Sequence, residues 1–129
     1  DAGLIYNDFP LMNGQFIPYD MWHLSPAMIN LFDNPATVQF IHRWIAMITV
    51  ALISVLWARL THAKQPRSIR RTAHILLVIA FLQMGLGIVT LMTQLWIPAA
   101  ALHQGGALLL LTTLIWLTHQ QIYGVRVRK

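Results

Sequence analysis

Residues 72–125 read TAHILLVIAFLQMGLGIVTLMTQLWIPAAALHQGGALLLLTTLIWLTHQQIYGV and contain no Asp, Glu, Lys or Arg. A membrane-spanning helix needs about 20 predominantly apolar residues, so this stretch is long enough for two crossings. The natural break is the segment around Trp96 and Pro98, because Trp prefers the membrane interface and Pro suits the first turn of a helix. We therefore predict helices over residues 72–95 and 98–121.

A third apolar run lies upstream, at residues 38–60. It is uncharged from Trp44 to Ala58, and a snorkelling Arg59 at its end extends it to spanning length. The whole chain has 129 residues and a mean hydropathy of +0.57, and only 10% of its residues are charged. Soluble domains have about 25% charged residues. Disordered chains combine low hydrophobicity with high charge, which is the opposite of this composition. We predict an all-α integral membrane protein whose three helices form a bundle domain over residues 38–129.

The first 37 residues form a second region, rich in turn-forming pairs such as Asn13-Gly14 and Ser25-Pro26. The apolar residues between Met21 and Phe32 predict a short amphipathic helix lying at the membrane interface. The chain opens without the basic and apolar regions of a signal peptide, and its first residue is expected to follow a cut inside a longer protein. Residues 1–37 are predicted to be a loop on the outer side of the membrane.

Charge is segregated along the chain. All four acidic residues lie within the first 33 positions, whereas all nine Lys and Arg residues lie from Arg43 onward. Eight of these nine bases follow the first helix at its inner end or lie in the tail, residues 126–129. The positive-inside rule places this basic side in the cytoplasm or mitochondrial matrix, and the acidic loop outside. The bases flank apolar runs, so they indicate membrane topology and no nucleic-acid partner.

Six histidines supply the candidate chemistry. His42 and His103 lie about five and six residues into their helices from the outer side, so their rings fall at nearly the same depth. Two imidazoles at one level of a helical bundle are the ligands that a bis-histidine haem requires. His74 and His119 are a second level pair, but the residues one turn from His119 are bulky, whereas those around His103 are small. We predict that His42 and His103 ligate haem iron, and that His74 and His119 have structural or interfacial roles.

Arg43 is the one base near the outer rim, and it adjoins a predicted ligand. Its guanidinium matches the carboxylate geometry of a haem propionate, but it also suits lipid headgroups, and both interpretations stay open. Gly85 and Gly87 predict tight helix packing first and clearance for a porphyrin second. The sequence has no Cys, no catalytic triad pattern, no phosphate loop and no zinc motif.

Four ordered blocks of the chain carry a resemblance to a known family. They are Asp1–Pro18 (DAGLIYNDFPLMNGQFIP), Thr37–Arg43 (TVQFIHR), Leu86–Leu91 (LGIVTL) and Ala101–Gly106 (ALHQGG). The chain resembles the C-terminal half of haem A synthases of the Cys-less type that mitochondria and Gram-negative bacteria have. Members of that family have eight transmembrane helices in two halves, of which this chain looks like the last three helices and the preceding outer loop.

The resemblance implies an oxidoreductase that oxidises a methyl group of haem O to the formyl group of haem A, for cytochrome oxidase assembly. It implies that His42 and His103, with Arg43 beside them, hold a haem b. The half that binds substrate carries a Glu-x-x-His-Arg pattern, and here Gln39 stands in place of the Glu. The fragment alone is therefore expected to bind haem b without making haem A, and we predict no catalytic residue in it.

The implied setting is a bacterial inner membrane or a mitochondrial inner membrane. The expected partners are membrane lipid, haem O as substrate and an unidentified electron acceptor, with contact to haem O synthase and a homo-oligomer left open. Two alternative functions also stay open. One is a different membrane cytochrome of the b type, and the other is a haem-free segment of a transporter.

Overall fold

A computed structural model describes residues 2–124, and in this range it is helical with irregular loops. A one-turn helix α1 (Asn30–Asp33) precedes three long helices, α2 (Pro35–His62), α3 (Arg67–Met92) and α4 (Ile97–Tyr123). The long helices have 26 to 28 residues, and each is long and apolar enough to cross a membrane. The predicted all-α membrane fold with three spans is confirmed.

The helix boundaries differ from the predicted ones mainly at the end of the bundle away from the loop, called the inner end below; the end beneath the loop is called the outer end. α3 begins at Arg67, five residues before the uncharged stretch, because its bases project from the first turns without interrupting the backbone ladder. α2 begins at Pro35, where the Asn34 side chain accepts a hydrogen bond from the backbone N–H of Ala36 at 3.0 Å. The break between α3 and α4 lies at residues 93–96, close to the predicted position.

α3 packs against both α2 and α4. The buried core lies towards the inner half of the bundle, where small side chains such as Ala73 and Ala80 of α3 let the helices approach closely. Leu117 of α4 and Ile53 of α2 complete this contact. The outer half is less filled, which leaves room for a cavity beneath the loop.

The loop lies over the outer end of α2. Its short helix is confirmed at Asn30–Asp33, preceded by a 3₁₀ turn at Ala27–Ile29. It does not extend back to Met21, because the chain passes through an extended Pro26 after a separate 3₁₀ turn at Tyr19–Trp22. Buried Asn34 donates to the Asp20 carbonyl at 2.8 Å and so ties this turn to the start of α2.

Candidate functional site

A cavity of about 340 Å³ lies at the outer half of the bundle, below the loop. Its volume falls within the range of small-molecule sites, about 300–1,000 Å³. From α2 its wall includes Gln39, His42 and Arg43, and from α3 and α4 it includes Gly87 and His103. The two predicted haem ligands, His42 and His103, and the adjacent Arg43 therefore line one cavity.

The two predicted ligands are neighbours in the wall of this cavity. The ring centres of His42 and His103 lie 6.3 Å apart, and the ring planes are inclined at 83°. Imidazole binds a metal at about 2 Å, so two imidazoles on opposite sides of one metal ion have ring centres about 6 Å apart. The separation in this structure is therefore compatible with both rings binding one metal ion.

The orientation of the His103 ring depends on Gln83 of α3. His103 Nδ1 lies 3.1 Å from the Gln83 carbonyl oxygen, and the Gln83 side-chain amide donates to the His103 carbonyl at 2.6 Å. A carbonyl oxygen only accepts, so Nδ1 carries the proton and Nε2 keeps its lone pair. Metal-binding histidines are commonly oriented by such a second hydrogen bond. The reciprocal pair therefore leaves Nε2 as the nitrogen available for a ligand.

Two glycines make this close approach of α3 and α4 possible. A Cβ atom at Gly87 would lie 2.8 Å from Cε1 of His103, and one at Gly106 would collide with the Gln83 side-chain oxygen. A Cβ atom at Gly85 would meet nothing within 4 Å. Tight packing, the first interpretation of this motif, therefore applies to Gly87, whereas Gly85 faces open space.

Arg43 is buried and binds the backbone of the loop. Its Nη1 donates to the carbonyls of Asp8 and Leu11 at 2.8 Å each, and its Nη2 donates to the carbonyl of Tyr6 at 2.9 Å. Within residues 2–124 its Nε has no hydrogen-bond partner. The guanidinium therefore fixes the roof of the cavity and keeps one N–H donor to spare. The partners predicted for Arg43 from the sequence are lipid headgroups or a haem propionate, and these backbone carbonyls are not predicted.

Gln39 supports the same roof. Its amide nitrogen donates to the Tyr6 carbonyl at 2.9 Å, so that oxygen accepts from two residues of α2. The Gln39 side-chain oxygen is buried without a partner among the described residues. From the sequence, Gln39 is notable only because it stands where the substrate-binding half of the family has a Glu, and this contact is not predicted.

Ionisable groups of the loop adjoin the roof. Burial, together with hydrogen bonds to both oxygens of Asp20 at 2.7 and 2.8 Å, raises the pKa of the Tyr6 hydroxyl to about 12. Burial acts to raise the pKa of Asp8, but the backbone amides of Asn13 and Gly14 outweigh it and the net shift is downward. Asp8 is thus a stable anion on the loop that Arg43 holds.

The other predicted histidine pair is not brought together at one site. The Trp57 indole donates to Nδ1 of His74 at 2.8 Å, while His119 stacks on Trp116 with ring centres 5.7 Å apart. Residues 2–124 hold no group of three or more His, Cys, Asp or Glu side chains placed to bind a metal. His42 and His103 are a two-ligand arrangement, which suits a metal whose other ligands come from a macrocycle.

Comparison with known proteins identifies the family. The family COX15-CtaA, described as cytochrome oxidase assembly protein, matches residues 1–115. The chain belongs to this family. Within COX15-CtaA, it is similar to the heme A synthase of Rhodospirillum centenum, with 42% identity over 120 residues that cover 92% of this chain and 32% of that protein. It is also 43% identical over 120 residues to the heme A synthase COX15 of Homo sapiens, covering 93% of this chain and 29% of that protein.

The resemblance found in the sequence blocks is thereby confirmed. The chain spans about a third of the length of these relatives. No solved structure matches it.

Proposed function

We propose that this chain is a haem-binding part of a haem A synthase and that it holds a haem b between His42 and His103. The observation that carries the proposal is the 6.3 Å separation of the two imidazole rings in the wall of the cavity. The family and the relatives named heme A synthase support an oxidoreductase that oxidises a methyl group of haem O to a formyl group.

The residues present fit such a group. His103 offers Nε2 because its Nδ1 proton is held by the Gln83 carbonyl, and His42 offers a ring nitrogen from the facing helix. Arg43 also lines the cavity, and its guanidinium carries the charge that a propionate pairs with. The two imidazoles and the guanidinium charge therefore match the chemistry of haem.

A haem held by these two imidazoles would supply one-electron transfer. The role of this chain is then to bind and orient: His42 and His103 would hold the iron, and Arg43 holds the loop over this end of the cavity and supplies positive charge there. Gln39 stands near the ligands without an ionisable carboxyl, so it is not a base. We place the oxidation of haem O outside this chain.

The setting follows from charge. The acidic loop lies outside, and the basic end of the bundle lies in the cytoplasm of a bacterium or in the matrix of a mitochondrion. The basic residues of the tail, residues 126–129, lie outside the described residues. Membrane lipid, haem O and an unidentified electron acceptor are the proposed partners, and contact with haem O synthase and homo-oligomerisation stay predictions.

A reduced-minus-oxidised absorbance spectrum of the purified protein tests the ligand assignment. The wild type is expected to give the spectrum of a six-coordinate low-spin haem b, and His42→Ala and His103→Ala are each expected to lose it. His119→Ala is the matched control, because that ring stacks on Trp116 away from the cavity. If both ligand variants kept the six-coordinate spectrum, the assignment would be wrong. A wild type without any haem absorbance would favour a transporter segment.

A further inference from the structure

A second groove lies at the opposite end of the bundle from the haem cavity. It has a volume of about 860 Å³ and is formed by the end of α2 and the first turns of α3. Thr61 lines it from α2, and Arg67, Arg70, Arg71 and His74 line it from α3. The three arginines are exposed.

No Asp or Glu side chain among residues 2–124 lies at this end of the bundle. The last acidic residue in the sequence is Asp33, which lies at the outer end of the bundle, before α2 begins. Arg59 and Lys64, also near this end, add further positive charge. Three guanidinium groups within five residues repel one another, so the groove favours an anion from outside the chain. The planar guanidinium fork matches phosphate oxygens in particular.

His74 supplies a neutral donor beside the arginines. Its Nδ1 accepts a hydrogen bond from the Trp57 indole, which can only donate, so the ring proton resides on Nε2. Trp57 also ties α2 to α3 at this end, because the two rings lie 5.7 Å apart. The Nε2–H group of His74 is therefore one further hydrogen-bond donor at the wall of the basic groove.

We propose that this groove binds the phosphate of an anionic membrane phospholipid. Inorganic phosphate has the same chemistry, but the groove lies where two membrane spans end, which is the depth of the lipid headgroups. Basic pockets between transmembrane helices commonly bind such headgroups. The bound lipid would bridge α2 and α3 at the end where residues 63–66 connect them.

Lipid titration of the purified, delipidated protein tests the proposal. The protein in neutral detergent is titrated with phosphatidylglycerol, phosphatidylcholine or inorganic phosphate, and bound adducts are counted by native mass spectrometry. Phosphatidylglycerol is expected to bind, and phosphatidylcholine and inorganic phosphate are expected to bind far more weakly. Each basic residue near the headgroups contributes about fivefold in affinity, so Arg70→Gln/Arg71→Gln is expected to weaken binding about thirtyfold.

The matched control is Arg59→Gln/Lys64→Gln, which removes the same charge from residues that do not line the groove. It is expected to weaken binding clearly less than Arg70→Gln/Arg71→Gln does, because these two residues lie near the headgroups without lining the groove. Arg70→Lys/Arg71→Lys keeps the charge without the forked donors, and an intermediate loss is expected from it. Equal losses in the two Gln double variants would overturn the proposal, as would inorganic phosphate binding as tightly as the lipid. Wild-type affinity in Arg70→Gln/Arg71→Gln would overturn it too.

Discussion

Replacing Gly87 with Ala would place a methyl group 2.8 Å from Cε1 and 3.4 Å from both nitrogens of His103. The ring has little freedom to retreat, because its Nδ1 is bonded to the Gln83 carbonyl of the same helix pair. Overpacking of this kind costs about 1–3 kcal/mol, against a gain in helix propensity of about 1 kcal/mol on replacing Gly with Ala. We expect a net loss of up to about 2 kcal/mol in stability.

The effect on haem should be larger than the effect on folding. A displaced ring no longer presents Nε2 at the same point, and disturbing the support of a metal ligand typically costs 10–100-fold in affinity. The assays are thermal unfolding followed by circular dichroism, and haem titration followed by absorbance.

Gly85→Ala is the matched control, because its Cβ atom meets nothing within 4 Å. It should gain about 0.5–1 kcal/mol in stability and leave haem affinity unchanged. If Gly87→Ala behaved as Gly85→Ala does in both assays, the reasoning about His103 would be refuted.

Three further predictions concern the loop. Arg43→Lys should lose most of the three hydrogen bonds to the loop and speed its cleavage in limited proteolysis, and an unchanged cleavage rate would contradict the clamp. Asn34→Ala should cost about 0.5–2 kcal/mol or more in thermal unfolding, because it removes a helix cap and the bond to the Asp20 carbonyl. The pKa of Tyr6 is raised to about 12 in the folded protein. The contribution of its protonated hydroxyl to the free energy of unfolding is therefore complete below about pH 10 and is lost between about pH 10 and 12. Alkaline denaturation of Tyr6→Phe should lack this component, and a wild-type profile in that variant would show that Tyr6 does not cause it.

The sequence predicts the spans well because a run without charges and a helix long enough to cross a membrane are nearly the same property. It also predicts the His42 and His103 pair, since depth in a membrane helix follows from counting residues. It predicts the start of α3 less well: the predicted start is residue 72, after the last base, whereas the helix begins at Arg67 and runs through the charged residues.

What the sequence does not predict are contacts to backbone carbonyls. Gln83 and Arg43 both bind main-chain oxygens of segments distant in sequence, and no residue pattern marks where a given carbonyl will lie. The one available signal was the presence of polar side chains within apolar spans, which indicates that each must find a partner. The identity of that partner required the folded chain.

The carbonyl contacts of Arg43 also bear on how the loop tolerates sequence change. All three of its bonds go to the main chain, so substituting the side chains at positions 6, 8 and 11 leaves every acceptor in place. Inserting or deleting a residue between these positions would shift the carbonyls out of register with the guanidinium. The bonds of Arg43 to the roof are therefore sensitive to the length of this segment and do not depend on which side chains stand at these three positions. Among relatives, we expect substitutions in this segment and no insertions or deletions.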